Sequence, residues 1–217
     1  MTLNLFEEAE HGHTWQEQVC AGALVLRRFA LADETAVLAA LGDISDRAPF
    51  RHMVTPSGFR MSVAMTNCGS YGWVTDATGY RYDAVDPESG NPWPAMPDVF
   101  LKLATEAATN AGFDGFEPDA CLINRYIPGA RLSLHQDKDE RDFGHPIVSV
   151  SLGIPAVFLF GGLRREERPV RIQLTHGDVV VWGGPARHRY HGILPLKEGH
   201  HPLTEAHRIN LTFRKAA

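Results

Sequence analysis

The second half of the chain is a series of short apolar segments separated by glycine and proline, and this pattern limits the possible folds most strongly. From Asp119 onward there are six such segments, at residues 121–126, 147–152, 156–160, 170–174, 179–182 and 209–213. Turn signals lie between them, at Pro128-Gly129, Gly161-Gly162, His176-Gly177-Asp178 and Gly183-Gly184. Many short strands at this spacing predict a β core, as a sandwich, a jelly roll or a barrel.

Two segments have the apolar spacing of amphipathic helices that pack outside this core. In the first, Asp33 is placed to cap a helix whose apolar positions are Val37, Leu38, Leu41 and Ile44. The second begins at Asp98 and stops at Gly112, and its apolar face consists of Phe100, Leu103, Ala104, Ala107 and Ala111.

These segments divide one compact domain into three parts. Residues 1–20 read as a polar N-terminal extension. Residues 21–118 contain a strand at 23–29, the two helices and, between the helices, a loop-rich region at 50–97 that is rich in glycine, proline and aromatic residues. Residues 119–217 form the predicted β core. Loop-rich decorations of this kind often carry binding contacts.

Composition excludes several classes of protein. A net charge of −5 argues against nonspecific coating of nucleic acid, because such binding needs many Lys and Arg contacts with phosphates, although an enzyme that contacts few nucleotides stays open. Three scattered cysteines predict free thiols. No apolar run reaches the length of a membrane span, and Glu7, Glu8 and Glu10 occupy the place of a basic signal start. We therefore expect a cytoplasmic protein without membrane contact, and a monomer by default.

The segment 132–137 contains the first candidate metal ligands. If it is extended, His135 and Asp137 point to the same face, because strand side chains repeat every two residues. His191, past several strands, would complete a 2-His-1-carboxylate face that leaves coordination positions open for a cosubstrate and oxygen. A second His-x-Asp sequence, His176-Gly177-Asp178, directly precedes an apolar run, so it predicts a turn.

The last predicted strand has a polar face that indicates a ligand-binding site. Arg208, Asn210, Thr212 and Arg214 would share one face, with apolar residues on the other. Two arginines inside a β core are costly unless they bind anions, and a dicarboxylate would explain both. An edge strand with a solvated polar face is the alternative. Upstream of the metal pair, Asn124 and Tyr126 also share a face.

Together these motifs resemble the AlkB family of Fe(II)/2-oxoglutarate dioxygenases. The resemblance covers Asn124-Arg125-Tyr126, His135-Gln136-Asp137, His191 and 208–214, and extends through 61–69 and 93–97. It implies a mostly β protein with flanking helices, a double-stranded β-helix (jelly roll) with an N-terminal nucleotide-recognition lid. It implies Fe(II) bound by His135, Asp137 and His191, and 2-oxoglutarate and O2 as cosubstrates. Arg208 would bind the distal carboxylate of 2-oxoglutarate, with Asn124, Tyr126, Asn210 and Arg214 completing that site.

The same resemblance implies a nucleic-acid substrate. The implied reaction is oxidative dealkylation of 1-methyladenine and 3-methylcytosine in DNA, with RNA as a second option, on single strands or on a flipped base. Trp73 resembles the stacking aromatic, with His135 as the opposite wall, and the Asp139 carboxylate would favour cationic bases. Contacts to the lid or the backbone are expected from Thr55, Met61, Tyr80, Arg131 and Arg165, whereas Trp182 is expected to pack beneath the site.

Three other readings stay open at this point. An oxygenase of the same chemistry could act on protein or on a small metabolite. A non-catalytic jelly-roll module could carry the same His and Asp residues as ordinary polar residues. A zinc hydrolase could use the same three ligands, but it would leave both arginines unexplained and lacks a neighbouring general base.

Overall fold

The computed structural model describes residues 14–217. The helices in this range are α1 (Glu34–Arg47) and α2 (Asp98–Asn110), with single 3-10 turns at Phe29–Asp33 and Gly184–Ala186. The strands are β1 (Trp15–Cys20), β2 (Ala23–Arg27), β3 (Ala64–Gly69), β4 (Gly72–Asp76), β5 (Gly79–Asp83), β6 (Ala120–Tyr126), β7 (Leu132–His135), β8 (Ile147–Gly153), β9 (Ala156–Phe160), β10 (Val170–Leu174), β11 (Val179–Trp182), β12 (His191–Ile193) and β13 (Arg208–Arg214).

The strands form two facing antiparallel sheets and a separate hairpin. The major sheet has seven strands in the order β1-β2-β11-β8-β13-β6-β3, and the minor sheet has four in the order β10-β9-β12-β7. Side chains from both sheets share one core cluster, including Trp182 of β11 and Phe158 and Phe160 of β9. Several strands that are neighbours in a sheet are distant in sequence, because the chain crosses from one sheet to the other between them. This strand order confirms the predicted jelly roll.

Strand β13 lies in the middle of the major sheet, between β8 and β6. Its apolar residues Ile209, Leu211 and Phe213 face the helices, and all seven of its residues are buried. The alternative of an edge strand with a solvated polar face is therefore wrong. Arg208 and Arg214 are buried on the opposite face, which is the side of the minor sheet.

Both helices cover the outer face of the major sheet, as their apolar spacing predicts. Val37, Leu41 and Ile44 of α1 are buried, and Phe100 of α2 meets Phe213 edge to face at 5.9 Å. Gly112 stops α2 with a φ of 84°, which favours glycine. The predicted capping role of Asp33 is wrong, because its side chain makes no cap hydrogen bond and instead pairs with Lys102.

The N-terminal boundary also differs from the prediction. Residues 15–20 of the expected polar extension form β1, which pairs with β2 at the edge of the major sheet. The strand predicted at 23–29 ends at Arg27, because Arg28 has a φ of 59° and turns the chain into a 3-10 turn. The remaining part of the expected extension, residues 1–13, lies outside the described residues.

The region at 50–97 is more regular than its composition indicates. β3 joins the edge of the major sheet next to β6, and β4 and β5 form a hairpin beside it. The side-chain amide of Asn67 in β3 holds the backbone of Trp73 through two hydrogen bonds, of 3.1 and 3.0 Å. Gly72 lets the hairpin start against Trp93, because a Cβ there would meet that ring at 2.4 Å. The hairpin lies within the region that is expected to form the lid.

Three smaller predictions also have an outcome. Cys20, Cys68 and Cys121 are free thiols, as expected. The sequence His176-Gly177-Asp178 is a turn, in which Asp178 pairs with Arg27 at 2.7 Å and Gly177 has a φ of 86°. Among residues 14–217, no helix is long and apolar enough to cross a membrane.

Candidate metal and cosubstrate site

Two neighbouring strands of the minor sheet bring the predicted metal ligands together. His191 at the start of β12 pairs in register with His135 at the end of β7, and Asp137 lies just beyond β7. Strand alternation therefore does not extend to Asp137 itself, but the ligand atoms of the three residues still lie within 4.8 Å of one another. Each imidazole Nε2 is 3.6 Å from one oxygen of Asp137.

The hydrogen bonds behind the two imidazoles suit metal binding. Nδ1 of His135 is 2.9 Å from the carbonyl of Ser133, and Nδ1 of His191 is 3.1 Å from the carbonyl of Arg189. A carbonyl can only accept, so both Nδ1 atoms carry the proton and both Nε2 atoms present a lone pair. Burial, and then the neighbouring His135, lowers the pKa of His191 to about 3, so its ring is neutral at neutral pH.

The carboxylate of Asp137 is held in its charged form. Arg214 donates to Oδ2 of Asp137 from Nη2 at 2.6 Å and from Nε at 3.0 Å. Burial alone would raise the pKa of Asp137, but the charge of Arg214, together with the neighbouring His191 and His135, holds it well below its usual range. Two imidazole nitrogens and one carboxylate oxygen form the 2-His-1-carboxylate donor set that binds Fe(II) in non-haem oxygenases.

Arg208 forms the second half of the site. Its side chain is buried and lies over the ring of Tyr126 at 5.0 Å. Nη2 donates to Oγ of Ser151 at 3.0 Å, but Nε and Nη1 have no hydrogen-bond partner in the described part of the chain. Burial lowers the pKa of Arg208, which reflects the cost of an unpaired charge in the interior. A carboxylate ligand would satisfy both free donors, so the residues fit 2-oxoglutarate.

Two of the other predicted cosubstrate residues differ in whether the polar atoms of their side chains already have hydrogen-bond partners. Asn124 has an Oδ1 atom without a partner among residues 14–217, and its Nδ2 donates to Asn210 at 3.4 Å. Asn210 donates to Oγ of Ser149 and to the carbonyl of Val150, and accepts from Thr212 at 2.9 Å. The amide protons of Asn210 are therefore engaged within the protein, and this residue supports the wall of the site.

One cavity of about 730 Å³ joins these groups to the predicted base pocket. Trp73, on β4, stacks on Tyr80 with ring centroids 5.8 Å apart, and its Nε1 donates to Asp139 at 2.8 Å. The cavity is lined by the three candidate ligands, by all five predicted cosubstrate residues and by the seven predicted substrate residues, which are Thr55, Met61, Trp73, Tyr80, Arg131, Asp139 and Arg165. Trp182 is buried beneath His191, with ring centroids 4.9 Å apart, as expected.

Several residues of the site were missed by the motif reasoning. Ser149 and Ser151 on β8 face Asn210 and Arg208, and their alternation with Val148, Val150 and Leu152 is the same signal that identified β13. Tyr82, Glu140 and Arg187 form a buried network next to Asp137. No periodicity marks these three, because each comes from a different element or loop.

Comparison with known proteins agrees with this geometry. Residues 22–214 match the 2OG-Fe(II) oxygenase superfamily. The chain is 58% identical to the alpha-ketoglutarate-dependent dioxygenase AlkB of Escherichia coli (strain K12), over 99% of this chain and 98% of that protein. It is 34% identical to the nucleic acid dioxygenase ALKBH1 of Mus musculus, over 58% of this chain and 33% of that protein. The solved structure of OsALKBH1 superposes with a TM-score of 0.82 at 28% identity, covering 93% of this chain and all of that chain. This chain is therefore a Fe(II)- and 2-oxoglutarate-dependent dioxygenase of the AlkB family.

Proposed function

We propose that this dioxygenase removes N-alkyl groups oxidatively from bases in nucleic acid. The proposed substrates are 1-methyladenine and 3-methylcytosine in DNA, with RNA as a second substrate class. The observation that carries the proposal is the pairing of Trp73 with Asp139 at 2.8 Å, in the cavity that also holds the three candidate metal ligands. A flat ring beside a carboxylate suits a planar cation, and both methylated bases are planar cations.

The residues of the site have separate roles in this proposal. His135, Asp137 and His191 would hold Fe(II), and Arg208 would bind the far carboxylate of 2-oxoglutarate through its two free donors. Trp73 and His135 would sandwich the base, with the Asp139 charge beside its pairing edge. Arg131, Arg165, Thr55, Met61 and Tyr80 would contact the strand or close the pocket.

The chemistry proceeds through the alkyl group of the base. Fe(II), 2-oxoglutarate and O2 together supply the oxidant that inserts one oxygen atom into an N-alkyl C–H bond, while succinate and CO2 are formed. The hydroxyl proton of the resulting hemiaminal leaves, the C–N bond breaks, and the ring nitrogen keeps the electron pair. The products are the free base and an aldehyde, which is formaldehyde for a methyl lesion.

The pocket also limits how the substrate is presented. A methyl group on the pairing edge is covered in a duplex, so the base must be flipped or lie in a single strand. Tyr80, which stacks on Trp73 in the wall of the cavity, is 50% exposed, and this supports entry of the base from the surface at this point. Monomeric state and cytoplasmic location remain predictions, which sedimentation and cell fractionation would check.

The direct test uses iron-loaded protein with O2, 2-oxoglutarate, ascorbate and a single-stranded oligonucleotide that carries one 1-methyladenine. Mass spectrometry follows the oligonucleotide, and a parallel assay follows succinate. We expect loss of one methyl group with matched succinate, abolished by His135→Ala. Succinate without demethylation would reject the nucleic-acid substrate and favour a protein or metabolite. Neither product from folded, iron-replete protein would reject the proposed activity altogether.

A further inference from the structure

Two hydrogen bonds from one cross-strand pair connect the hairpin β4–β5 to residues 137–140, the segment that includes the candidate metal ligand Asp137. Trp73 and Tyr82 lie opposite each other in the hairpin register. The indole N–H of Trp73 donates to Asp139 at 2.8 Å, and the hydroxyl of Tyr82 donates to the next residue, Glu140, at 2.9 Å. Both acids follow closely after Asp137, so one pair of rings holds the segment that carries a metal ligand.

Glu140 is a buried carboxylate that contacts Tyr82, Arg187 and Arg214. Its side chain is 1% exposed and lies between two arginines, with Oε2 3.0 Å from Nη2 of Arg187 and Oε1 3.2 Å from Nε of Arg214. Arg187 also donates to the backbone carbonyl of Asp137 at 3.0 Å. A buried carboxylate is tolerated only while ion pairs and hydrogen bonds compensate its charge, so the position of Glu140 depends on the hydrogen bond from Tyr82 as well as on the ion pairs with both arginines.

Arg214 continues this network to the metal site. The guanidinium contacts Glu140 through Nε and Asp137 Oδ2 through Nε and Nη2. It therefore sits between a carboxylate held by the hairpin and the carboxylate that would bind the metal. Burial keeps the pKa of Tyr82 well above its ordinary value, so its hydroxyl keeps the proton that it donates to Glu140.

We propose that Tyr82 is a positioning residue of the metal centre: through Glu140 it holds Arg214 against Asp137, and so links the hairpin to the orientation of the metal carboxylate. The proposal rests on the metal role of Asp137 that is proposed above. Tyr82 makes its hydrogen bond to Glu140, and Arg214 makes the hydrogen bonds to Asp137. Trp73, in the same cross-strand pair, lines the proposed base pocket. A bound base that displaces the hairpin would therefore change the orientation of the Asp137 carboxylate. Groups of this kind, which orient a metal ligand from behind, contribute strongly to metal affinity.

The test is a titration of the chelator-treated protein with Co(II), in the absence of nucleic acid. Tyr82→Phe deletes one oxygen atom and leaves the ring in place. We expect it to weaken Co(II) binding about tenfold in calorimetry, and to change the intensity of the Co(II) absorption bands, which reports coordination geometry. Tyr71→Phe, just before the hairpin, is the matched control and should leave both readouts at the wild-type values.

A double-mutant cycle checks the route of the effect. In a Glu140→Ala background, Tyr82→Phe should have no further effect on Co(II) affinity, because the carboxylate that connects Tyr82 to Arg214 is already removed. Thermal unfolding of each metal-free variant is the control that tests whether the protein is folded. A Co(II) affinity of Tyr82→Phe within twofold of wild type, or an equal loss in the Glu140→Ala background, would overturn the proposal. Wild-type protein that binds no Co(II) would instead reject the proposed metal site.

Discussion

At the scale of single residues, Arg208 shows how the unpaired donors of a buried side chain indicate the ligand that a site binds. Arg208 is 1% exposed, and its Nε and Nη1 have no hydrogen-bond partner in the described part of the chain. A buried cation without an anion destabilises the folded state, and natural proteins keep such groups for a function. Arg208 lines a cavity that is also lined by the candidate metal ligands.

Arg208→Met should therefore separate binding from stability. We expect the affinity for 2-oxoglutarate to fall about 100-fold, because a charge-assisted, bidentate contact of about 3 kcal/mol is lost. The unfolding free energy of the cosubstrate-free protein should stay equal or rise by about 1 kcal/mol, since an unpaired buried charge is removed. Calorimetry and denaturant titration measure the two quantities. Unchanged affinity in a destabilised protein would show that Arg208 is a structural residue.

Asp139 is the residue at which charge recognition can be isolated. Asp139→Asn keeps an oxygen that can accept from Trp73 but removes the negative charge. We expect kcat/KM for 1-methyladenine to fall about tenfold relative to a neutral N-alkylated base, which corresponds to about 1.4 kcal/mol of charge interaction. Turnover of 2-oxoglutarate without nucleic acid serves as the control and should not change. An equal loss on both bases would mean that Asp139 does not select for charge.

At the scale of elements, the close pairing of β7 and β12 determines the distance between the two histidines. Gly192 lies between His191 and Ile193 in β12, and a Cβ at this position would come within 2.7 Å of the carbonyl oxygen of Leu132 in β7. Backbone atoms cannot yield as a flexible side chain does. Only a residue without a side chain lets the two strands come close enough for the metal ligands to converge.

Gly192→Ala should push β7 away from β12 and weaken metal binding. We expect at least about a tenfold loss of Co(II) affinity, the loss seen when ligands are displaced from their support. Gly42→Ala, in the middle of α1, is the matched control because no atom lies within 4 Å of the added Cβ. That control should raise the unfolding free energy by about 0.5–1 kcal/mol and leave metal affinity unchanged. Equal metal affinity in both variants would show that the strand spacing does not control the site.

At the scale of the whole molecule, charge limits how this protein meets nucleic acid. The net charge is −5. If the residues of the candidate metal and cosubstrate site are left aside, the cationic side chains that line the cavity are Arg131, Lys138 and Arg165. Three cations at a rim can contact only about three phosphates. Affinity for undamaged nucleic acid should therefore be weak, and discrimination should come from the base pocket.

This charge distribution predicts a shallow salt dependence for binding of undamaged single strands. With about three phosphate contacts, the slope of log K against log salt concentration should be about −2. Fluorescence anisotropy of a labelled oligonucleotide over a salt series measures it. Arg165→Ala should reduce the slope by about 0.7 without changing base preference. A slope several times steeper would reveal a basic surface elsewhere on the molecule.

Much of the fold and site could be predicted from periodicity and chemical type. The β core, α1 and α2 lie where their apolar spacing placed them, because burial of one face follows directly from a two- or 3.6-residue repeat. The polar face of β13 was visible for the same reason. β1 and β5, the second strand of the hairpin, were missed because none of their residues is buried, so no apolar alternation marks them.

The sequence by itself determined the chemistry of this protein: which side chains can donate to a metal, bind a dicarboxylate or stack on a base. Those properties belong to residue types and local spacing. Only the tertiary structure decided which of them share a cavity, that β13 is central and not an edge, and that Tyr82, Glu140 and Arg214 connect the hairpin to Asp137. These are contacts between residues far apart in the chain, and they exist only when both sheets have closed around a common core.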